Sequence, residues 1–75
     1  MEVFVEIEGK RAEIIMFETR EEVESEMIKR YNKRVKEMDS IDWDRTGFDR
    51  ENLYGRVRGS HRDFEWMVGS MRKAG

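Results

Sequence analysis

The chain has no cysteine, no proline and a single histidine, and each absence excludes a kind of chemistry. Without cysteine there is no disulfide, no thiolate ligand for a metal ion and no thiol nucleophile. His61 alone does not supply the clustered ligands that a zinc site needs. Without proline, no domain boundary is marked. We therefore expect a protein that folds without cross-links, in a reducing, cytoplasmic setting.

Long apolar runs are missing as well. The segment MEVFVEIEG has three glutamates where a secretory signal peptide would need a basic segment and an apolar core. No other stretch is apolar over the ~20 residues that a membrane-spanning helix requires. We expect neither export nor membrane insertion.

Charged residues make up 43% of the 75 residues, but the hydrophobic 37% is arranged periodically and includes eight aromatic residues. This periodicity predicts one small folded domain over residues 1–75 and argues against disorder. The charge is uneven, because residues 1–28 hold nine acids and three bases whereas residues 29–75 hold eight acids and twelve bases. Such a dipolar chain indicates a charged partner.

Residues 2–18 have the pattern of a β-hairpin, with β-branched and aromatic residues on either side of EGKR. A two-residue turn at Gly9 and Lys10 would fix the pairing. In that register one face is wholly apolar and carries Val3, Val5, Ile7, Ala12, Ile14 and Met16. The other face is mixed and carries Glu2, Phe4, Glu6, Glu8, Arg11, Glu13, Ile15 and Phe17. There Glu6 opposes Glu13, a like-charge pair that costs a few tenths of a kcal/mol or more, so we expect the mixed face to serve something besides hairpin stability.

The clearest predicted element is a helix over residues 20–38. Thr19 followed by Glu22 matches a capping box. One apolar stripe recurs at helical spacing and consists of Val23, Met27, Ile28, Tyr31, Val35 and Met38. Because a lone two-stranded ribbon is marginal in water, we expect this stripe to pack on the apolar face of the hairpin.

The rest of the chain is predicted as an acidic, aromatic loop over 39–51, a strand over 52–58 and a helix over 61–73. In the strand, Leu53 and Val57 would point inward. The last helix would start at Ser60 as N-cap and use Phe64, Met67, Val68 and Met71 as its apolar stripe. The predicted class is α+β with the order ββαβα. The alternative makes the last segment a strand with Phe64, Trp66 and Val68 on one face, which gives ββαββ.

Motifs that suggest catalysis or metal binding are incomplete. DSIDWDRTGFDREN, residues 39–52, resembles the start of a calcium loop at Asp42, but the twelfth position, where a bidentate glutamate belongs, is Leu53. The triplet HRD at 61–63 matches the kinase catalytic loop, but no glycine-rich loop or DFG accompanies it. We expect no metal, no cofactor and no enzymatic activity.

The first functional hypothesis is a non-catalytic protein-binding module. A glutamate-lined hairpin face and an acidic aromatic loop could imitate a phosphate backbone and occupy a surface on a larger, nucleic-acid-handling protein. Small charge-dense inhibitors or regulators of this type suit the accessory proteins of phages and mobile elements. The predicted contact residues are Glu2, Phe4, Glu6, Glu13, Asp42, Trp43, Asp44, Phe48 and Asp49.

The second hypothesis is direct nucleic-acid binding. The candidate residues are Lys29, Lys33 and Lys36 on the helix, with Arg56, Arg58 and Arg62 around an anion site at the N-cap Ser60. The net charge of −2 favours the first hypothesis, since basic domains are the usual nucleic-acid binders. An open hairpin edge could also pair with a second copy of the chain or with a strand of a target protein.

Overall fold

Residues 1–70 are described by a computed structural model, and within them one α-helix covers a five-stranded antiparallel sheet. The strands are β1 (Glu2–Glu8), β2 (Arg11–Phe17), β3 (Gly47–Asp49), β4 (Tyr54–Arg58) and β5 (Asp63–Ser70). The helix α1 (Arg20–Glu37) follows β2, and a 3₁₀ turn at Trp43–Arg45 precedes β3. The order across the sheet is β2-β1-β5-β4-β3. The α+β class is confirmed, whereas the number and order of strands differ from ββαβα.

The hairpin pairs in the predicted register. Glu8 lies opposite Arg11, and the pairing continues without interruption to Glu2 opposite Phe17. Gly9 has a φ of +59°, a left-handed conformation that glycine adopts at low cost. The turn is therefore of the kind that needs glycine at its first position.

The helix begins and ends close to the predicted bounds. Thr19 is the N-cap, and its Oγ1 accepts the Glu22 N–H at 3.2 Å and donates to Glu22 Oε1 at 3.1 Å. At the other end, the Met38 N–H donates to the Arg34 carbonyl as the C-cap. The local capping signals were sufficient to place this element.

The predicted helix over 61–73 is wrong where the structure describes it, because β5 runs through Asp63–Ser70; residues 71–73 lie outside the described part. As a strand, this segment pairs with β1 on one side and β4 on the other. The ladder satisfies two strand edges that a helix would leave open. The alternative, with Phe64 and Trp66 on one face, describes this segment correctly. The short β3, inside the predicted loop 39–51, is an additional strand.

The helix packs on the mixed face of the hairpin, so the expectation that it covers the apolar face is wrong. The core consists of side chains with 0% exposure: Phe4, Val23, Met27, Leu53, Val57, Phe64 and Trp66. On the opposite face, Ile14 is 64% and Met16 43% exposed. The reason lies in β5, whose register places Phe64 and Trp66 beside Glu8 and Glu6 of β1. The face with the large rings is the one that needs covering.

Gly59 lies at the point of closest approach between the chain after α1 and the turn before β5. A Cβ at this position would lie 2.9 Å from the Arg62 carbonyl oxygen and 3.1 Å from that of Ser40. The Gly59 N–H also donates to the Arg62 carbonyl at 2.9 Å. A side chain here would push two backbone segments apart.

We expect Gly59→Ala to lower the free energy of unfolding by about 1–3 kcal/mol, because the methyl group overpacks the turn against backbone atoms. Gly47→Ala is the matched control, since nothing lies within 4 Å of a Cβ there, and it should change stability by less than about 0.5 kcal/mol. Urea unfolding followed by circular dichroism measures both. Equal stability of the two variants would contradict the close approach.

Candidate functional site

Within residues 1–70 the 3₁₀ turn touches the β4 side of the sheet's second face, through the hydrogen bond from Arg56 to Arg45, and α1 does not cover this face. We call it the open face. Strand alternation and the pairing register place these side chains on it: Val3, Val5, Ile7, Ala12, Ile14, Met16, Tyr54, Arg56, Arg58, Asp63, Glu65 and Met67. It divides into an apolar half on the hairpin side and a polar half toward β4.

The apolar half forms a continuous patch across three neighbouring strands. We call it the apolar patch, and its members are Val3, Val5, Ile7, Ala12, Ile14, Met16 and Met67. Ile14, Val5 and Met67 lie in one cross-strand row. Strand spacing and rise give a patch of about 10 Å by 14 Å between Cα atoms. A contiguous apolar surface with exposed members such as Ile14 and Met16 is a candidate interaction site.

Sequence reasoning identified the hairpin members of this patch but assigned them to the core, and it missed Met67 as a surface residue. A signal was present in β5, where Phe64, Trp66 and Val68 alternate with Glu65 and Met67. If that segment is a strand, its larger apolar face determines which side of the sheet the helix covers. The hairpin alone does not carry this information.

The polar half of the open face carries charges that are already paired. The Tyr54 hydroxyl donates to Glu65 Oε2, and this hydrogen bond raises the pKa of Tyr54. Arg58 lies 3.5 Å from the Asp63 carboxylate. Arg56 Nε donates to the Arg45 carbonyl at 2.8 Å. The polar half therefore places hydrogen-bonding groups along the border of the apolar patch, without an excess of positive or negative charge.

Arg30 of α1 holds the helix on the mixed face. Its Nη1 lies 3.2 Å from Glu6 Oε1 and also binds Glu13, while its Nε binds Glu26 at 2.7 Å. Trp66 Nε1 donates to Glu6 Oε1 at 2.7 Å. Burial lowers the pKa of Arg30, but the hydrogen bonds to Glu26 and Glu13 outweigh burial, and the net shift is upward. The like-charge pair on the hairpin is thereby bridged by one guanidinium.

The predicted acidic contact surface on the hairpin is corrected by this arrangement. Phe4 is buried and has the guanidinium carbon of Arg30 4.9 Å from its ring centroid. Glu6 and Glu13 are bound to Arg30, and Glu2 lies half-buried on the same covered face. These four side chains lie beside the helix instead of forming a free acidic surface.

In the acidic loop, Trp43 and Phe48 have different roles. Trp43 is 59% exposed, whereas Phe48 is half-buried with its ring centroid 5.8 Å from that of Tyr31. The Asp42 carboxylate accepts the Asp44 N–H at 3.2 Å within the 3₁₀ turn. Trp43 is thus available for contact, and Phe48 belongs to the edge of the core.

Asp49 forms the turn before β4. Its carboxylate accepts hydrogen bonds from the Asn52 side chain and from the backbone N–H groups of Asn52 and Glu51, and these bonds lower the pKa of Asp49. Asp44 is exposed beside it in the same loop. Within residues 1–70 no three His, Asp or Glu side chains gather in a way that could hold a metal ion.

The cationic candidates fall on two sides of the molecule. Lys29, Lys33 and Lys36 lie on the exposed side of α1, whereas Arg56 and Arg58 lie on the open face. The helix N-cap predicted at Ser60 is wrong, because β5 and not a helix follows Ser60, so the described residues have no helix N-terminus there to bind an anion. Arg62 donates to Glu8 at 2.8 Å, and this bond lowers the pKa of Glu8. One basic surface that joins all six cations does not exist in the described part.

Comparison with models of protein families, with curated proteins and with solved structures finds nothing that matches this chain. None of the helical structure in residues 1–70 has the length and apolar character needed to cross a bilayer.

We expect Arg30→Met to lower the free energy of unfolding by about 2 kcal/mol, because it leaves Glu6, Glu13 and Glu26 together without their cation. Methionine keeps an unbranched side chain at this position but removes the guanidinium that lies 4.9 Å from the Phe4 ring centroid. Lys29→Met is the matched control one residue earlier, on the exposed side and without an ion pair in the described part, and it should change stability by less than about 0.5 kcal/mol. Thermal and urea unfolding measure the difference. Similar values for both variants would show that the Arg30 contacts contribute nothing.

Proposed function

We propose that this chain is a non-catalytic protein-binding module, a small inhibitor or regulator that occupies a surface on a larger protein. The observation that carries the proposal is the exposure of the apolar patch, with Ile14 64% accessible on a face opposite the helix. A cytoplasmic setting, inferred from the absence of cysteine, is part of the proposal.

In this proposal, burial of the apolar patch provides the binding affinity, and the polar groups beside it determine the orientation of the bound partner. Complete burial of a Val, Ile or Met side chain is worth about 1.5–3 kcal/mol, so covering Ile14 and Met16 alone offers a useful binding energy. Tyr54 and Arg56 stand next to the patch, and tyrosine and arginine are enriched among residues that dominate binding energy. A partner with an apolar surface and a few polar groups at one side matches this arrangement.

The mode of binding differs from acidic mimicry on the hairpin. Glu6 and Glu13 are engaged by Arg30, so they do not present the charge array that imitates a phosphate backbone. The exposed Trp43, with Asp42 and Asp44 beside it, is a secondary contact in the proposal. Recognition is therefore proposed to be mainly apolar.

We expect Ile14→Lys to reduce capture of partner proteins from a lysate of the native host at least about tenfold, because it puts a charge into the apolar part of the interface. Since Ile14 is exposed, the melting temperature should change by less than about 2 °C. Quantitative mass spectrometry of captured proteins is the measurement.

Asn32→Lys is the matched control, because it adds the same charge on the exposed side of α1. It should leave the captured set unchanged. If Ile14→Lys captures the same proteins in the same amounts as the unmodified chain, the open face is not the interface.

Direct nucleic-acid binding is a second candidate, and one observation favours it. Lys29, Lys33 and Lys36 share one side of α1, and in the part of the chain that the structure describes none of them has an ion pair. Three unpaired cations on one helix face are a suitable contact for three phosphates.

If this second candidate is correct, the affinity for a generic DNA duplex should fall as salt is added. The logarithm of the association constant, plotted against the logarithm of the salt concentration, should have a slope of about −2.7, because three phosphates are neutralised. The triple variant Lys29→Gln, Lys33→Gln, Lys36→Gln should abolish binding, whereas Ile14→Lys should not weaken it. Fluorescence anisotropy across a salt series measures the slope. Absence of binding at low salt removes this candidate.

A further inference from the structure

The outer edge of β2 is a long strand edge without a partner in residues 1–70. The strand covers Arg11–Phe17, seven residues, and ends the sheet on the hairpin side. Its pairing with β1 is regular and has no bulge. Natural proteins usually protect such edges with proline, bulges or covering loops, because free N–H and C=O groups pair readily with another strand. The chain has no proline, and within the described residues β2 has no bulge. Its two charged side chains, Arg11 and Glu13, lie on the face that carries α1, so the open-face row of this edge is apolar.

The residues that carry the free backbone groups follow from the turn. In a two-residue hairpin the residues next to the turn, Glu8 and Arg11, form a hydrogen-bonded pair, and such pairs alternate along the ladder. Ala12, Ile14 and Met16 therefore direct their N–H and C=O groups away from β1. The same residues place their side chains in the apolar patch, so a strand added at this edge would extend the patch.

The charges at the two ends of β2 are complementary to those of a second, antiparallel copy. Lys10 precedes the strand and Glu18 follows it, each four positions from Ile14. Both are exposed, and neither has an ion pair within residues 1–70. In an antiparallel pair centred on Ile14, each Lys10 lies opposite Glu18 of the other copy. Ala12 then lies opposite Met16.

One shifted register fits less well. A shift that places Ala12 opposite Ile14 of the other copy puts Glu13 directly opposite Glu13, and like charges in that position are destabilising. The register centred on Ile14 instead places Glu13 opposite Ile15. Charge therefore favours the register centred on Ile14 over this shifted one.

We propose that the chain forms a two-fold symmetric homodimer through antiparallel pairing of β2 with β2 of a second copy, centred on Ile14. The two sheets of five strands become one sheet of ten. Because the two-fold axis is perpendicular to the sheet, both helices lie on one side and both apolar patches lie together on the other. The proposal concerns backbone groups at an edge and does not depend on the proposed function.

The test is sedimentation equilibrium of the purified chain across a concentration series. We expect a mass of twice the 9.1 kDa monomer at high concentration, with slow amide exchange at Ile14 and Met16 that depends on concentration. Ala12→Pro removes an outward N–H from each copy and should weaken the dimer at least about tenfold, since two intermolecular hydrogen bonds are lost. Its circular dichroism spectrum reports whether the hairpin is retained.

A charge exchange tests the register without proline. Lys10→Glu and Glu18→Lys should each weaken the dimer about fivefold, because each creates two like-charge contacts across the axis. The double variant should recover the original affinity. If it stays as weak as the single variants, the register centred on Ile14 is overturned.

Met67→Lys is the control that separates the two proposals. Met67 lies in the apolar patch but on β5, away from the edge, so this change should leave the dimer intact while it reduces partner capture. A chain that is monomeric at all concentrations would overturn the dimer. A dimer that Met67→Lys disrupts and Ala12→Pro does not would also overturn it, since the sheets would then pack face to face.

Discussion

The guanidinium of Arg30 reaches from the middle of α1 to Glu6 and Glu13, which face each other on the two strands of the hairpin. Trp66 of β5 donates to the same Glu6 carboxylate. Three parts of the chain that are far apart in sequence thus meet at one cluster of charges beside the core. With its charges bridged in this way, the mixed face of the hairpin can be covered by a helix.

The purely apolar side of the hairpin faces away from the helix, because Phe64 and Trp66 of β5 determine which face is covered and Arg30 bridges the carboxylates on it. In a chain of 75 residues, whose core is thin, apolar side chains that lie outside the core contribute little to the stability of the fold. Such an arrangement is understandable if these side chains are buried against something else. Both proposals depend on this orientation of the hairpin, with its apolar side away from α1. In the first, a partner protein covers the apolar patch, and in the second, another copy of the chain extends the patch at the β2 edge.

The predictable parts of the fold are those that local signals determine. The turn at Gly9 and Lys10 determined the hairpin register, and Thr19 with Glu22 located the start of the helix. The last segment was ambiguous because Phe64, Met67 and Val68 satisfy helical spacing as well as strand alternation. Its choice of strand depends on pairing with β1, about sixty residues earlier in the chain, and no local pattern reports that contact.

The candidate site was predictable in composition but not in exposure. The apolar residues of the hairpin were evident, but β5 determines which side of the sheet is covered. Because the segment of β5 was predicted as a helix, the apolar face of the hairpin was assigned to the core instead of the surface. The same error created the anion site at Ser60, which required a helix after it. Glu6 and Glu13 suggested an acidic surface because their cation, Arg30, approaches from α1, seventeen residues after Glu13.

The neighbouring residues Ile14 and Ile15 test most directly whether the apolar side of the hairpin faces away from α1, since strand alternation sends their side chains to opposite faces. The measurement is the relaxation of their methyl signals by a soluble gadolinium chelate in nuclear magnetic resonance. We expect strong relaxation of the Ile14 and Met16 methyl groups, which are exposed, and relaxation several-fold weaker for Ile15, which packs beside the core. Strong relaxation of Ile15 and protection of Ile14 would contradict this orientation of the hairpin.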